Sequence, residues 1–289
     1  MSYRLHRYRS ADGRLELAAR DYRADDNGAP ALLLMHGLTR NSADFEPLAE
    51  HLAGAYRLIV PDQRGRGLSQ WDSDASNYRP DIYVQDMLAL LGELGIAQFG
   101  VIGTSMGGLM AMVMAAMQPE RVSAMVLNDI GPVLEAEGIA RIQGYVSPGK
   151  EMANWDEAAQ RIAISNAPAF PHYGPGDWLA FAQRTCIQNP NGTISFAYDP
   201  AIAESMNGEN PSTVPPDLWP LWDGLQSIPT LVIRGGISDL LSAQTVAEMG
   251  RRHSGPFDAV EIPHVGHAPI LNEPAALDAI LPFLAEQVH

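Results

Sequence analysis

The run Gly103-Thr104-Ser105-Met106-Gly107-Gly108 sets a serine between glycines two positions before and two positions after it. A Cβ at either flanking position would clash in a very sharp strand-to-helix turn, and glycine removes it. Such a turn pushes Ser105 Oγ out at the top of a sheet and seats it at a helix N-terminus, where the dipole favours negative charge. A serine hydroxyl is too weakly acidic to attack at neutral pH, so it needs a base held by a third group. The C-terminal part of the chain offers both: Asp239 in Gly236-Ile237-Ser238-Asp239, and His267 in Val265-Gly266-His267-Ala268-Pro269. The order Ser105, Asp239, His267 is the one this turn type uses. Asp129, which ends another strand-like run, is the alternative acid, and Asp239 is expected because it takes the commoner position. His264 is the alternative base; His267, directly after a glycine, is the expected one. The backbone N–H groups of Met106, at the turn, and Leu38, after His36-Gly37, are the expected donors to an oxyanion.

Other chemistry-bearing residues read as structural. Asp62 and Arg64 stand in Asp62-Gln63-Arg64-Gly65-Arg66-Gly67, where turn glycines point to a loop beside the site rather than to an acid–base pair. His36 is expected to anchor the oxyanion loop and to border the substrate pocket. The single cysteine, Cys186, has neither a glycine turn nor a histidine near it and reads as a small half-buried side chain. One cysteine builds neither a disulfide nor a thiolate metal site. The His, Asp and Glu residues show no metal-ligand spacing, and no G-x-G-x-x-G or Walker loop occurs, so no metal and no cofactor are expected.

The elements that must position these groups follow a rhythm. Leu32–Met35, Arg57–Val60, Gly100–Ile102 and Ala124–Leu127 are short, wholly apolar or nearly apolar runs that stop at His, Pro-Asp, Gly and Asn-Asp respectively. Strands buried on both faces are apolar throughout, which marks a parallel sheet. Between them residues 43–53, 82–94 and 106–117 carry apolar side chains at helical spacing. The alternation predicts a doubly wound, mostly parallel sheet, with ligands at the carboxyl ends of the strands. An antiparallel pair joined at Asp12-Gly13 precedes it. The rhythm breaks after Pro132 and returns with Thr230–Ile233, Ala259–Ile262 and a closing helix over 275–288. Residues 133–228 hold nearly half of the aromatic residues in a third of the chain. Helix-like pieces separated by Pro- and Gly-rich joints make this segment an inserted helical cap, with 1–132 and 229–289 as the core domain. Tyr145, Trp155, Phe170, Tyr173, Trp178 and Phe181 are its candidate pocket residues.

Composition closes off other classes. With 289 residues, 46% hydrophobic and 18% charged, the chain is neither disordered, collagenous nor a coiled coil. Nineteen basic against 34 acidic residues give a net charge of −15, which disfavours nucleic acid and anionic membrane surfaces as partners. No signal-peptide pattern opens the chain, and the longest apolar run, Leu109–Met117, falls far short of the ~18 residues of a membrane span. The expected location is cytoplasmic and the expected partner a small molecule; the oligomeric state is not legible.

Taken together, His36-Gly37, Asp62 through Ser69, Gly103 through Gly108, Asp239 and Gly266-His267 make the sequence resemble the α/β-hydrolase fold family over about residues 15–288. The resemblance implies an eight-stranded, mostly parallel sheet with a helical cap, Ser105 as nucleophile, His267 as base, Asp239 as orienting acid and no cofactor. Serine at 105 argues against the family's dehalogenases and epoxide hydrolases, which use aspartate there. The expected activity is hydrolysis of an apolar or aromatic carboxylic ester or lactone. Three alternatives stay open: C–C bond hydrolysis of ring-cleavage diketones, cofactor-free haloperoxidase or perhydrolase activity, and a slow-turnover small-molecule receptor. Ala268 ranks the first of these below esters, because C–C hydrolases often place tryptophan after the histidine.

Overall fold

Valine, isoleucine and leucine runs bounded by polar turn residues form the strands, because β-branched and aliphatic side chains fit a pleated surface covered on both sides. The computed structural model describes residues 2–26, 28–146, 150–203 and 217–289. Its main sheet has eight strands in the order β1-β2-β4-β3-β5-β6-β9-β10. They are β1 (Arg4–Arg9), β2 (Glu16–Tyr22), β3 (Ala31–Met35), β4 (Arg57–Asp62), β5 (Phe99–Thr104), β6 (Val122–Asn128), β9 (Thr230–Gly235) and β10 (Phe257–Ile262). Strand β1 pairs with β2, and β2 with β4, antiparallel; every pair from β4 through β3, β5, β6 and β9 to β10 is parallel.

Helices cover both faces. On one, α2 (Pro80–Glu93) and α3 (Met106–Met117) build the larger apolar core with Leu33, Met35, Val101, Met125 and Leu127. On the other, α1 (Glu46–Leu52) and the C-terminal α9 (Pro274–Gln287) cover Leu32, Leu34, Ile102, Val126 and Ile233. Consecutive strand residues therefore alternate between two cores, which is why the runs read as continuously apolar. All the predicted central strands are present. Helix α8 (Ala243–Arg252), which the sequence reading passes over, follows β9.

Between β6 and β9 the chain forms α4 (Ala136–Tyr145), α5 (Trp155–Asn166), α6 (Pro175–Thr185), the short hairpin β7 (Cys186–Gln188)–β8 (Ile194–Phe196) and α7 (Trp219–Asp223). Helix α4, which the sequence reading passes over, buries only Gly138 fully and packs Ile139, Ile142 and Tyr145 against the larger core. Helices α5 and α6 close on a small core of their own, made by Met152, Ile162, Phe170, Trp178, Phe181 and Ile194 among others. Among the described residues no helix is long and apolar enough to cross a membrane.

Candidate active site

Strand β5 ends and α3 begins within one residue, and Ser105 takes that turn at φ 52°, ψ −117°. A Cβ on Gly103 would lie 2.4 Å from the Gly107 carbonyl oxygen, and one on Gly107 would lie 2.0 Å from that of Met35. Neither approach is possible for another residue, so both glycines are required by backbone contact. Three strands over, the loop after β10 brings His267 to the same rim. His267 Nε2 stands 2.9 Å from Ser105 Oγ, and its Nδ1 stands 2.8 Å from Asp129 Oδ2. With the proton on Nδ1, the ring donates to Asp129 and accepts from the serine hydroxyl, a tautomer assigned from this network.

The expectation that Asp239 orients His267 is overturned. Asp129, fully buried at the end of β6 with φ 55°, occupies that position instead. Its Oδ1 accepts from the Gly235 N–H at 2.8 Å, and its Oδ2 also accepts from Ser238 Oγ at 2.6 Å. Three donors thus fix the orientation of the carboxylate. Asp239 is turned away into a bidentate ion pair with Arg141 of α4, with Arg141 Nη2 2.8 Å from Asp239 Oδ1. Hydrogen bonding by Arg141 holds its pKa below the usual carboxylate range against the opposing effect of burial. The β9 loop therefore reaches the site through Ser238, one residue earlier than anticipated. His264, the alternative base, lies against the His172 ring with centroids 5.5 Å apart.

The two expected oxyanion donors are placed beside the serine: Met106 is the first residue of α3, and Leu38 follows Gly37, whose Cβ position would lie 3.7 Å from Ser105 Cβ. Among the described residues neither N–H is taken by a protein acceptor. Both peptide planes flanking Leu38 are pinned. His36, fully buried, donates from Nδ1 to the Gly37 carbonyl at 2.7 Å and accepts the Gln63 N–H at its Nε2. Burial drives the His36 pKa down to about 3, so the ring is neutral. On the other side, Arg66 Nε donates to the Leu38 carbonyl at 2.8 Å. Arg66 has no exposure, stacks over Tyr83 at 4.7 Å, and among the described residues pairs with no carboxylate. Sequence reading missed this residue, although its place between the turn glycines Gly65 and Gly67 was the available signal.

Asn128 was also missed. Its Nδ2 donates to Thr104 Oγ1 and to the Pro269 carbonyl, tying β5, β6 and the histidine loop together. Asp62 and Arg64 are structural neighbours: Asp62 accepts the Ser42 and Leu68 N–H groups, while Arg64 is buried against Asp86 and Asp72. Cys186 is buried and its thiol is pushed up to about 11, leaving it protonated. Among the described residues no group of His, Cys, Asp or Glu is arranged to hold a metal ion.

The aromatic candidates divide. Tyr145 and Phe181 line a cavity of about 50 Å³ beside Arg40. Phe170, Tyr173 and Trp178 instead stack on one another, with centroids 4.7 Å apart for Phe170–Tyr173 and 5.0 Å for Tyr173–Trp178. Trp155 packs at the edge of the same small core. These four side chains pack within the small core of the cap segment.

A family model described as the α/β hydrolase fold matches residues 30–274. The chain is 36% identical over 256 residues to the 3-hydroxybutyrate-oligomer hydrolase of Cupriavidus necator, covering 87% of this chain and 86% of that one. It is 28% identical over 240 residues to the 2-(acetamidomethylene)succinate hydrolase of Mesorhizobium japonicum, covering 83% and 81%. Among solved structures, an alpha/beta hydrolase from Novosphingobium aromaticivorans superposes with a TM-score of 0.91 at 43% identity, covering 98% of each chain.

Proposed function

The chain belongs to the α/β-hydrolase fold family, and from that premise we propose that it is a serine hydrolase that cleaves carboxylic esters through an acyl-enzyme on Ser105. In this reading His267 takes the Ser105 proton as Oγ attacks the ester carbonyl, and Asp129 steadies the imidazolium that results. The Leu38 and Met106 N–H groups receive the negative charge on the carbonyl oxygen. The alcohol leaves with the proton from His267. Water, deprotonated by the same ring, then attacks the acyl carbonyl and returns Ser105 to its free form. Residues 133–228 are the cap that closes over the acyl and alcohol groups.

One observation carries this reading: the unbroken Ser105–His267–Asp129 relay, with separations of 2.9 and 2.8 Å. Supporting it, one relative bears a name that specifies hydrolysis of 3-hydroxybutyrate oligomers, which are esters, and another the name of a succinate-derivative hydrolase. Lactones, being internal esters, come under the same mechanism. The test is a pre-steady-state burst with p-nitrophenyl butyrate, together with mass spectrometry of the trapped protein. A butyryl group is expected on the peptide containing Ser105. Ser105→Ala is expected to lower kcat by at least about 10⁴-fold. Turnover retained in that variant refutes the mechanism.

A further inference from the structure

Arg40 stands two residues beyond Leu38, on the loop expected to bind the oxyanion. The point that a Gly37 Cβ would occupy lies 3.7 Å from Ser105 Cβ and 3.9 Å from Arg40 Cγ, so the serine and the arginine stem flank the same glycine. From there the guanidinium reaches the cavity of about 50 Å³, whose walls include Thr39, Tyr145, Phe181, Thr185 and Tyr198. Among the described residues lining this cavity, Arg40 is the sole charged one. Its single ion pair among the described residues, Nη1 to Asp44 Oδ1 at 2.7 Å, engages one corner of a fork that has five donors.

Two features hold this cation in place. The Phe181 ring lies under it, with Cζ 4.1 Å from the centroid, and its side chain is only 17% exposed. A guanidinium stacked in this way has a fixed plane and keeps its remaining donors directed. A second cation, Arg184, stands 6.0 Å from the same ring, and its Nε is buried without a hydrogen-bond partner among the described residues. Arg141, on the Tyr145 side, is matched by Asp239. Among the described residues Asp44 is the one carboxylate paired with these two arginines, while Glu273 and Asp177 act electrostatically on the same aromatic cluster, in a chain whose net charge of −15 repels anions at long range. A partly buried, aligned guanidinium with donors to spare next to a nucleophile fits a planar anion.

We propose that Arg40 binds a carboxylate carried by the substrate, so that the protein selects esters bearing an acidic group a few atoms from the scissile carbonyl. This rests on the ester reading above and narrows its substrate class from apolar to anionic.

The test compares mono-p-nitrophenyl adipate with its methyl ester, which differ only in the free carboxylate, after subtraction of spontaneous hydrolysis. The native protein is expected to favour the acid in kcat/KM by at least about tenfold, mainly through KM. Arg40→Gln is expected to collapse that ratio toward one, and Arg40→Lys to keep part of it, which separates loss of recognition from loss of folding. Equal use of the two esters by the native protein, or an unchanged ratio in Arg40→Gln, overturns the proposal. Calorimetry of adipate with Ser105→Ala, alone and combined with Arg40→Gln, reads the subsite without turnover. Arg40-dependent binding alongside inert esters keeps the subsite and rejects the ester mechanism; no binding rejects the subsite.

Discussion

At the scale of single residues, the site turns on which carboxylate faces His267. Asp129 and Asp239 both follow strands and both lie on the correct rim, and they differ in their neighbours. Asp129 is sealed among Gly235 N–H, Ser238 Oγ and His267, whereas Asp239 is a quarter exposed and spent on Arg141. Replacing Asp129 by Asn removes the acceptor that holds the Nδ1–H tautomer. A fall in kcat of roughly 10³–10⁴-fold is expected. Asp239→Asn breaks a partly solvated ion pair and is expected to change kcat by less than about tenfold. Measuring both variants on one p-nitrophenyl ester decides between them, since the ranking reverses if Asp239 is the working acid. Nothing in the residue types distinguishes the two aspartates, because the choice is made by which side chains surround each of them.

At the scale of elements, the loops rather than the strands carry the precision. The β5–α3 turn is fixed by glycines that admit backbone at 2.0–2.4 Å from their missing Cβ atoms. The Leu38 loop is fixed by two side chains from elsewhere, His36 on one peptide and Arg66 on the next. Burying a guanidinium without a carboxylate costs several kcal/mol unless its donors are used. Here Arg66 Nε and Nη1 meet the Leu38 and Arg64 carbonyls and the Tyr83 hydroxyl, while Nη2 is buried without a partner among the described residues. Arg66→Lys keeps the charge and loses the fork, so the Leu38 N–H is expected to swing out of line. A fall in kcat of about 10- to 100-fold with KM within a few-fold is the expected result for a displaced oxyanion donor. A change confined to thermal stability, with kcat preserved, contradicts this role. The loop was legible in the sequence as His36-Gly37 and as a glycine-rich turn at 65–67; that one serves to pin the other was not.

At the scale of the whole molecule, pH links the same loop to folding. His36 is neutral in the folded protein down to about pH 3, whereas an unfolded chain takes up that proton near 6.5. The unfolded state therefore binds more protons between these values, and its share of the stability, complete above pH 6.5, is lost as pH falls toward 3. The contribution to the slope is at most about 1.4 kcal/mol per pH unit. Urea unfolding of the native protein and of His36→Gln between pH 7 and pH 5 is expected to show a shallower loss in the variant, whatever its stability at pH 7. Parallel slopes would mean that His36 is solvated or already charged in the fold. The large-scale charge points the same way as the local chemistry: a strongly acidic exterior sets the few buried arginines apart as groups with particular work to do.

The residue pattern by itself determined the strands, the flanking helices, the strained serine and its histidine, because each depends on local rules: apolar runs for two-sided burial, helical spacing, and glycines at fixed offsets from Ser105. Tertiary structure alone decided which of the two aspartates faces His267, that Arg66 joins His36 in pinning the Leu38 loop, and which cation stands beside the serine. Asp129 meets His267 across 138 positions and Arg66 meets Leu38 across 28, distances over which the chain's periodicity carries no information. Those partnerships arise only when the sheet order places β6 next to β9 and the turn after β4 beneath the loop after β3, so that side chains distant in sequence share one rim.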